Sequence, residues 1–223
     1  MGSCVEPIEI AVRGAKERTK TNVSGSGSKG EIKGAEFLRF ECSKCSLCCH
    51  LWVPVTDADV RTLMSHISLP PQKIVQFVDS SRIQSTRGAI TWIRFGPKKT
   101  EKKAMCLRER RDRCLFLESK KCIVYESRPG VCREHPFVLT LDSAGRNIKS
   151  LKLNEAANCA YTLAGSVSKQ RLKKIHLWNL EQDEQYLKKV DRWNRRKHPG
   201  TEKDFLRYLG LDDAAPAGKR GGR

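Results

Sequence analysis

The sequence predicts an α+β fold in which short strands and helices are arranged around a cysteine-rich centre. Runs of β-branched and aromatic residues, such as AITWIRF before Gly96–Pro97, predict strands of a few residues each. Other segments repeat their apolar residues at helical spacing behind helix start signals. The cysteines are concentrated in two parts of the chain, which indicates that the short elements surround a common centre rather than one large core.

The first elements follow from local signals. An apolar, strand-like entry is expected at residues 37–40, and Thr56 with Asp59 forms a capping-box pattern that starts a helix. Pro70–Pro71 starts a second helix, for which the apolar positions are expected within residues 74–78. AITWIRF and a strand near Met105–Leu107 are expected to pair as a hairpin across a basic loop.

Two further hairpins and one helical turn are expected in the middle of the chain. CLFL and CIVY predict buried strands joined by a polar turn at residues 118–121. Arg128–Pro129 starts a helical turn that carries Cys132 and ends before Pro136. The segment FVLTLDSAGRNIKSLKL predicts a hairpin around Ser143–Gly145.

The last third of the chain is predicted to be helical. Residues 166–197 contain no Gly or Pro, and their apolar residues recur at helical spacing among charged ones. Thr201 with Asp204 starts a short final helix, which Gly210 ends. The predicted regions are a disordered arm (1–35), a cysteine-cluster metal-binding domain (36–165), a helical C-terminal extension (166–211) and a disordered basic tail (212–223).

The composition favours a reducing compartment and acidic partners. The N-terminus has no apolar signal segment and no stretch is long and apolar enough to span a membrane, so a cytoplasmic location is expected. Cysteines in that setting are more often metal ligands than disulfides. The chain has 43 Lys and Arg against 25 Asp and Glu, a net charge of +18. Such an excess suits nucleic acid, an anionic membrane surface or an acidic protein, but a basic solvated surface explains it at least as well.

The first cysteine group consists of Cys42, Cys45, Cys48 and Cys49, in the stretch ECSKCSLCCH. Gaps of two residues let successive sulfurs curl around one metal, as in ferredoxin and zinc-knuckle loops. The adjacent cysteines diverge, so one of them is expected to face a second centre or the core. His50 follows the group directly, and whether it also ligates stays open.

A second, looser cysteine group consists of Cys114, Cys122, Cys132 and Cys159. Its gaps are too long for a single loop, so these residues can meet only through the fold. Four plus four thiolates would serve two four-ligand sites, or one site with spares. Any member could instead be a buried cysteine that packs as a small apolar residue. Cys106 is left uncertain.

Both groups together resemble the CxxCxxCC cysteine-cluster family, also called YkgJ-type. Its members are described as iron- or zinc-chelating or iron–sulfur proteins, and flagellin lysine N-methylases share the module. The resemblance covers roughly residues 37–160, through CxxCxxCC and the later segment CLFL…CIVYESRPGVCREHPF. The matching positions are Cys42, Cys45, Cys48, Cys49, Cys114, Leu117, Cys122, Tyr125, Arg128, Pro129, Cys132, Arg133, Pro136 and Phe137.

An all-cysteine ligand set suits both zinc and an iron–sulfur cluster, and the CxxCxxC triplet favours a 4Fe–4S cluster with a distant fourth ligand. Arg128 and Arg133 are expected near the centre, where they would offset its negative charge, and Tyr125 is expected beside it. The alternative for both arginines is pairing with local carboxylates such as Glu126 and Glu134. The remaining histidines of the helical segments are expected at the surface.

Three functions follow as hypotheses. The first is an accessory, redox or structural metal–thiolate protein that uses its C-terminal helix to bind a protein partner. The second is a protein-lysine N-methyltransferase, which rests on the resemblance alone. The third is a zinc-stabilised nucleic-acid-binding protein that uses the basic runs between residues 98 and 113.

Overall fold

The computed structural model describes residues 37–83, 90–154, 161–162 and 164–212. The helices are α1 (Asp57–His66), α2 (Pro71–Ile74), α3 (Gly130–Glu134), α4 (Lys169–Asn194) and α5 (Glu202–Tyr208). The strands are β1 (Phe37–Leu38), β2 (Glu41–Cys42), β3 (Val75–Asp79), β4 (Ile93–Phe95), β5 (Glu101–Leu107), β6 (Leu117–Glu118), β7 (Lys121–Cys122), β8 (Phe137–Leu141), β9 (Ile148–Leu153), β10 (Tyr161–Thr162) and β11 (Val167–Ser168). The α+β class predicted from the sequence is confirmed. The expectation that these elements surround the cysteines rather than one large core is wrong, because buried apolar side chains from the central sheet, α1, α4 and α5 form one main cluster.

The central sheet is antiparallel and has the strand order β3-β5-β4. Strand β5 pairs Leu107 with Val75 on one edge and Lys103 with Ile93 on the other. The short segment before α1 continues the β4 edge, because the amide of Val55 donates to the carbonyl oxygen of Met105 at 3.0 Å. The predicted β4–β5 hairpin is present, but β5 begins earlier than expected: β4 pairs with Glu101–Lys103, and the expected partner Met105–Leu107 pairs with the segment before α1 instead.

The second predicted helix is wrong beyond its first turn. Helix α2 ends at Ile74, and the residues that follow form β3 instead of a helical face. The run Val75–Asp79 is rich in β-branched and aromatic side chains, and it pairs along its whole length with β5. Sheet pairing with a distant strand therefore overrides the helical spacing of these residues.

Most other local signals behave as the sequence predicts. The buried strands expected at CLFL and CIVY are wrong in extent: β6 and β7 include only Leu117 and Cys122 of those runs, and Ile123 and Tyr125 are exposed because the chain turns away from the hairpin after Cys122. Thr56 and Asp59 form a reciprocal capping box at α1, and Thr201 and Asp204 form a second one at α5. The helix of residues 169–194 exists with Leu172, Tyr186, Val190 and Trp193 buried. The hairpins β6–β7 and β8–β9 are both antiparallel.

The C-terminal helices share a core with the cysteine-bearing part of the chain. Trp193 and Phe205 pack edge to face with their ring centroids 5.1 Å apart, and both also contact Phe95 of β4. Trp193 Nε1 donates to the carbonyl oxygen of Arg94 at 3.0 Å. The same cluster contains Leu63 of α1 and Met105 of β5. Helices α4 and α5 therefore complete the core that also contains Cys132.

A buried carboxylate at the start of α1 connects this helix to the C-terminal helices. Asp57, whose side chain is 3% exposed, accepts hydrogen bonds from Arg61 and from Lys189 of α4, the latter at 2.6 Å. Arg61 also donates to the carbonyl oxygen of Leu209. A single charge at the start of α1 thus connects α1, α4 and the turn after α5. None of the described helices combines the length with the apolar composition that a membrane crossing requires.

Candidate metal centre

The first cysteine group lies on a loop at the edge of the fold. Cys42 ends β2 and is exposed, whereas Cys45, Cys48 and Cys49 are half-buried. Cys48 and Cys49 belong to a single 3₁₀ turn at Leu47–His50, which the amide of Cys49 closes on the carbonyl oxygen of Ser46 at 2.8 Å. Only short elements, β2 and the 3₁₀ turn, hold this loop.

The turn between Cys42 and Cys45 directs a backbone amide at a cysteine sulfur. The backbone amide of Lys44 points at Cys42 Sγ, with a nitrogen–sulfur distance of 3.4 Å. Lys44 and Ser46 have φ angles of 56° and 61°, so the backbone is in the left-handed region that reverses the chain within two residues. Amides directed at sulfur stabilise the charged thiolate and tune the metal that it binds.

The second cysteine group is held more firmly. Cys132 lies in α3 and is 9% exposed, and Cys114 and Cys122 are partly buried against the main core. Leu117 connects the last two, because its amide donates to the carbonyl oxygen of Cys114 at 3.0 Å and its strand position pairs with Cys122. These three residues therefore belong to the rigid part of the molecule.

Two backbone contacts join the loop of the first group to the second group. The amide of Cys114 donates to the carbonyl oxygen of Cys49 at 2.7 Å. Beside it, His50 Nδ1 donates to the carbonyl oxygen of Asp112 at 3.1 Å. When Nδ1 of a neutral imidazole carries the proton, Nε2 keeps the lone pair that a metal would accept. Spacing alone does not reveal this contact of His50, because the partner carbonyl is distant in sequence.

Cys159 lies outside the described residues. The nearest described residue is Tyr161, which pairs with Cys42 in the β10–β2 ladder. Among the residues that the structure describes, no three cysteine, histidine, aspartate or glutamate side chains come together closely enough to hold a metal ion. Thiolates suit zinc and iron chemically, but a metal site built from these described cysteines would require their thiols to move toward one another.

The match to a known family covers these same residues. The family model CxxCxxCC, described as "Putative zinc- or iron-chelating domain", matches residues 41–160, more than half of the 223-residue chain. The chain belongs to the CxxCxxCC family. No curated protein and no solved structure matches it significantly. Membership supports metal binding as the general role of the cysteines.

Cys106 differs from the other described cysteines of this CxxCxxCC protein. It is fully buried in β5, in a small cluster with Val78 and Ala104. Burial, with a smaller contribution from the charge of Glu109, raises the pKa of its thiol to about 12. Since a thiolate is the metal-binding form, this environment favours a neutral packed thiol at Cys106.

The three residues expected beside the centre make contacts of their own. The guanidinium of Arg128 stacks on the ring of Tyr125 with its carbon 3.6 Å from the ring centroid, and its Nε donates to the carbonyl oxygen of Tyr125 at 2.9 Å. Arg133 lies over the ring of Trp178 in α4 at 4.6 Å. Glu134, the carboxylate proposed as an alternative partner, instead accepts from His176 Nδ1 and from Asn179 Nδ2, both at 2.6 Å.

The expectation that His176 is a surface residue is therefore wrong. Its side chain is only 16% exposed because α3 packs on α4 at this point. Gly130 permits that approach: a Cβ atom there would lie 1.8 Å from Asn179 Oδ1 and 2.9 Å from the Trp178 ring. The sequence could not show this contact, because neither helix carries a local signal for the other.

Part of the basic stretch between residues 98 and 113 is used within the molecule. Lys103 Nζ lies 2.9 Å from Glu202 Oε1 and 3.0 Å from Glu101 Oε2, and its hydrogen bonds to these two carboxylates raise the pKa of Lys103. Lys99 Nζ donates to the carbonyl oxygen of Asn194 at 3.1 Å, and Arg108 donates to that of Gln72 at 2.7 Å. These three cations thus hold the sheet to its neighbours instead of forming a common phosphate-binding face.

Proposed function

We propose that this protein holds a metal centre through the thiolates of both cysteine groups, with an iron–sulfur cluster as the favoured occupant and an accessory redox or structural role. The observation that carries the proposal is the contact between the two groups inside the family segment, where the Cys114 amide meets the Cys49 carbonyl oxygen at 2.7 Å. The proposed ligands come from Cys42, Cys45, Cys48, Cys49, Cys114, Cys122, Cys132 and Cys159.

The way the cysteines are held supports a centre that closes when the metal binds. Cys132 is part of the core, whereas Cys42 lies on an exposed loop. A metal bound to the anchored thiolates would draw the loop toward them, pivoting at the Cys49–Cys114 hydrogen bond. Metal binding and local folding are then one process, as is common where a site is not preformed. Cys159 enters the proposal because Tyr161, two positions later, pairs with Cys42.

The choice of an iron–sulfur cluster over zinc rests on ligand type and spacing. The CxxCxxC triplet, with a distant fourth thiolate, suits 4Fe–4S, and the Lys44 amide directed at Cys42 Sγ is the kind of contact that tunes such clusters. When bound, the cluster would supply one-electron transfer or structural support. A zinc site is the alternative occupant, and there the free Nε2 of His50 could complete a Cys₃His set.

The test is metal analysis of protein purified anaerobically. We expect iron and inorganic sulfide in similar amounts, and a broad absorption at about 400 nm that bleaches on reduction. A colourless protein with stoichiometric zinc would show that the site holds zinc and not an iron–sulfur cluster. A folded, metal-free protein that takes up neither iron nor zinc would contradict the whole proposal. The Cys106→Ala variant serves as the matched control, since that thiol is packed in the apolar cluster of β5.

A reducing compartment, such as the cytoplasm, follows from the same proposal, because the ligands must stay as thiolates. A protein partner on α4 is also proposed, and Leu177, Leu180 and Leu187 support it, being 40%, 50% and 47% exposed. Their spacing of three and seven positions places them along one stripe of the helix. No described feature favours the methyltransferase or nucleic-acid hypotheses over metal binding.

A further inference from the structure

A cavity of about 260 Å³ lies between the start of α1, helices α3 and α4, and strand β8. Its volume is just below the range of roughly 300–1,000 Å³ in which drug-sized ligands bind, so it suits a smaller molecule. Met105, Val131, Phe137 and Leu139 supply apolar walls. The cavity is separate from the cysteine loop, since none of the first cysteine group lines it.

Three carboxylates, and neither Lys nor Arg, are among the residues that line the cavity, although the protein carries a net charge of +18; two histidines and several neutral polar residues complete the polar lining. Asp59 is 5% exposed and accepts from the amide of Gly130 at 2.9 Å. Glu134 accepts from His176 and Asn179. Asp183 makes no hydrogen bond or ion pair with the described part of the chain, and partial burial with repulsion from Asp59 and Glu134 raises its pKa to about 6. Arg133 offsets part of the charge at Asp59.

A second observation points to a ligand independently of the acidic residues. Tyr186 lines the cavity, is 4% exposed, and has no hydrogen-bond partner for its buried hydroxyl among the described residues. Asn179 Oδ1, also in the lining, is buried and without a partner as well. Buried polar atoms are almost always hydrogen-bonded, and each one left unsatisfied costs about 1–3 kcal/mol. Asn179 Oδ1 lies against Gly130, so the Tyr186 hydroxyl is the acceptor relevant to a ligand: a donor that reached it from the cavity would satisfy it.

We propose that this cavity binds a small organic cation, an ammonium group on a short apolar chain, with Asp183 and Tyr186 at its charged end and the apolar walls around its chain. Carboxylate, amide and hydroxyl oxygens accept the three hydrogen bonds of an ammonium group. A metal ion fits less well, because no three described carboxylate, cysteine or histidine side chains converge to ligate one. The apolar walls also have no role in binding a bare ion.

The test uses n-butylammonium chloride as the probe on the full chain with its metal content as purified, at constant ionic strength. Calorimetric titration should show saturable binding, and the same concentration should raise the midpoint of thermal unfolding. 1-Butanol, which has the same chain without the charge, should give no comparable shift. Binding of 1-butanol equal to that of n-butylammonium, or binding of Mg²⁺ or Zn²⁺ at this cavity instead, would overturn the proposal.

Variants locate the binding. Asp183→Asn should weaken n-butylammonium binding roughly fivefold or more, because a charge-assisted hydrogen bond becomes a neutral one. Tyr186→Phe should weaken it about threefold while the protein stays folded, because the lost hydroxyl has no protein partner among the described residues. Glu184→Gln, on the same helix but outside the cavity, is the matched control and should leave binding unchanged. Equal affinity in all four proteins, or no binding by any, would refute the site.

Discussion

The backbone amide of Cys114 donates a 2.7 Å hydrogen bond to the carbonyl oxygen of Cys49, and this contact joins two cysteine groups that are far apart in sequence. It holds the loop of the first group against the anchored second group. The backbones of Cys49 and Cys114 are therefore in direct contact. The first two predictions concern the anchored second group and the loop of the first group.

Replacing Cys132 by serine should lower the metal content of anaerobically purified protein by half or more, because an anchored thiolate is lost. Cys106→Ala should leave the metal content at the wild-type level and cost about 1 kcal/mol of stability, because only packing is removed. Both cysteines are buried, at 9% and 0% exposure, so burial does not separate them. Metal analysis together with chemical denaturation measures both effects, and equal metal loss in the two variants would contradict the assignment of Cys106.

Removing the metal with a chelator should loosen the loop of residues 42–50 more than the rest of the molecule. This loop is held by short elements, whereas α4 packs Tyr186, Val190 and Trp193 into the main core. Hydrogen exchange should therefore speed up by about tenfold or more in the loop, and much less in α4. Identical acceleration in both segments would show that the metal supports the whole fold instead.

Gly130→Ala should destabilise the protein by about 1–3 kcal/mol, because its Cβ would overlap Asn179 Oδ1 and the Trp178 ring. Part of this cost should disappear in an Asn179→Ala background, which removes the closest atom. Gly145→Ala is the control: it has φ +66° and no atom within 4 Å of its Cβ, so its cost of about 1 kcal/mol should be the same in both backgrounds. Denaturant unfolding of the single and double variants measures the coupling.

Asp183→Asn should raise thermal stability at pH 7.5, and the gain should shrink as the pH falls through about 6 toward 4. The pKa of Asp183 is raised in the folded state, so its charge disfavours folding at neutral pH, and protonation on acidification removes that penalty from the wild type. The groups that oppose its charge are Asp59 and Glu134, the latter bonded to His176. Unfolding midpoints across this pH range check the sign, and a gain that grows with acidity would contradict it.

Local chemistry made much of the fold predictable. The capping pairs Thr56–Asp59 and Thr201–Asp204 specify helix starts within four residues, and the apolar period of residues 169–194 specifies which face of α4 is buried. The run Val75–Asp79 was mispredicted because its strand partner, β5, lies well along the chain. A local window contains no information about that pairing.

In the candidate site, too, features set by local sequence could be predicted, and features that depend on contacts between distant segments could not. The spacing of Cys42, Cys45 and Cys48 predicts a ligand loop from local sequence alone, since only two residues separate successive cysteines. The burial of His176 could not be inferred, because it depends on Gly130 letting α3 approach α4. The cavity acceptors Tyr186 and Asn179 were likewise hidden, since a helical pattern marks Tyr186 only as a core position.

The buried carboxylate of Asp57 limits where this chain can be divided. A fragment restricted to residues 41–160 would keep that carboxylate and lose both Lys189 and the carbonyl oxygen of Leu209. It would also expose the surfaces that Trp193 and Phe205 cover. Arg61 would remain as a partner of Asp57, but the loss of Lys189 from this buried ion pair would be destabilising. The stretch that the family model matches is thus shorter than the stretch that shares this core, and removal of α4 and α5 would leave α1 without part of its packing and of its polar contacts.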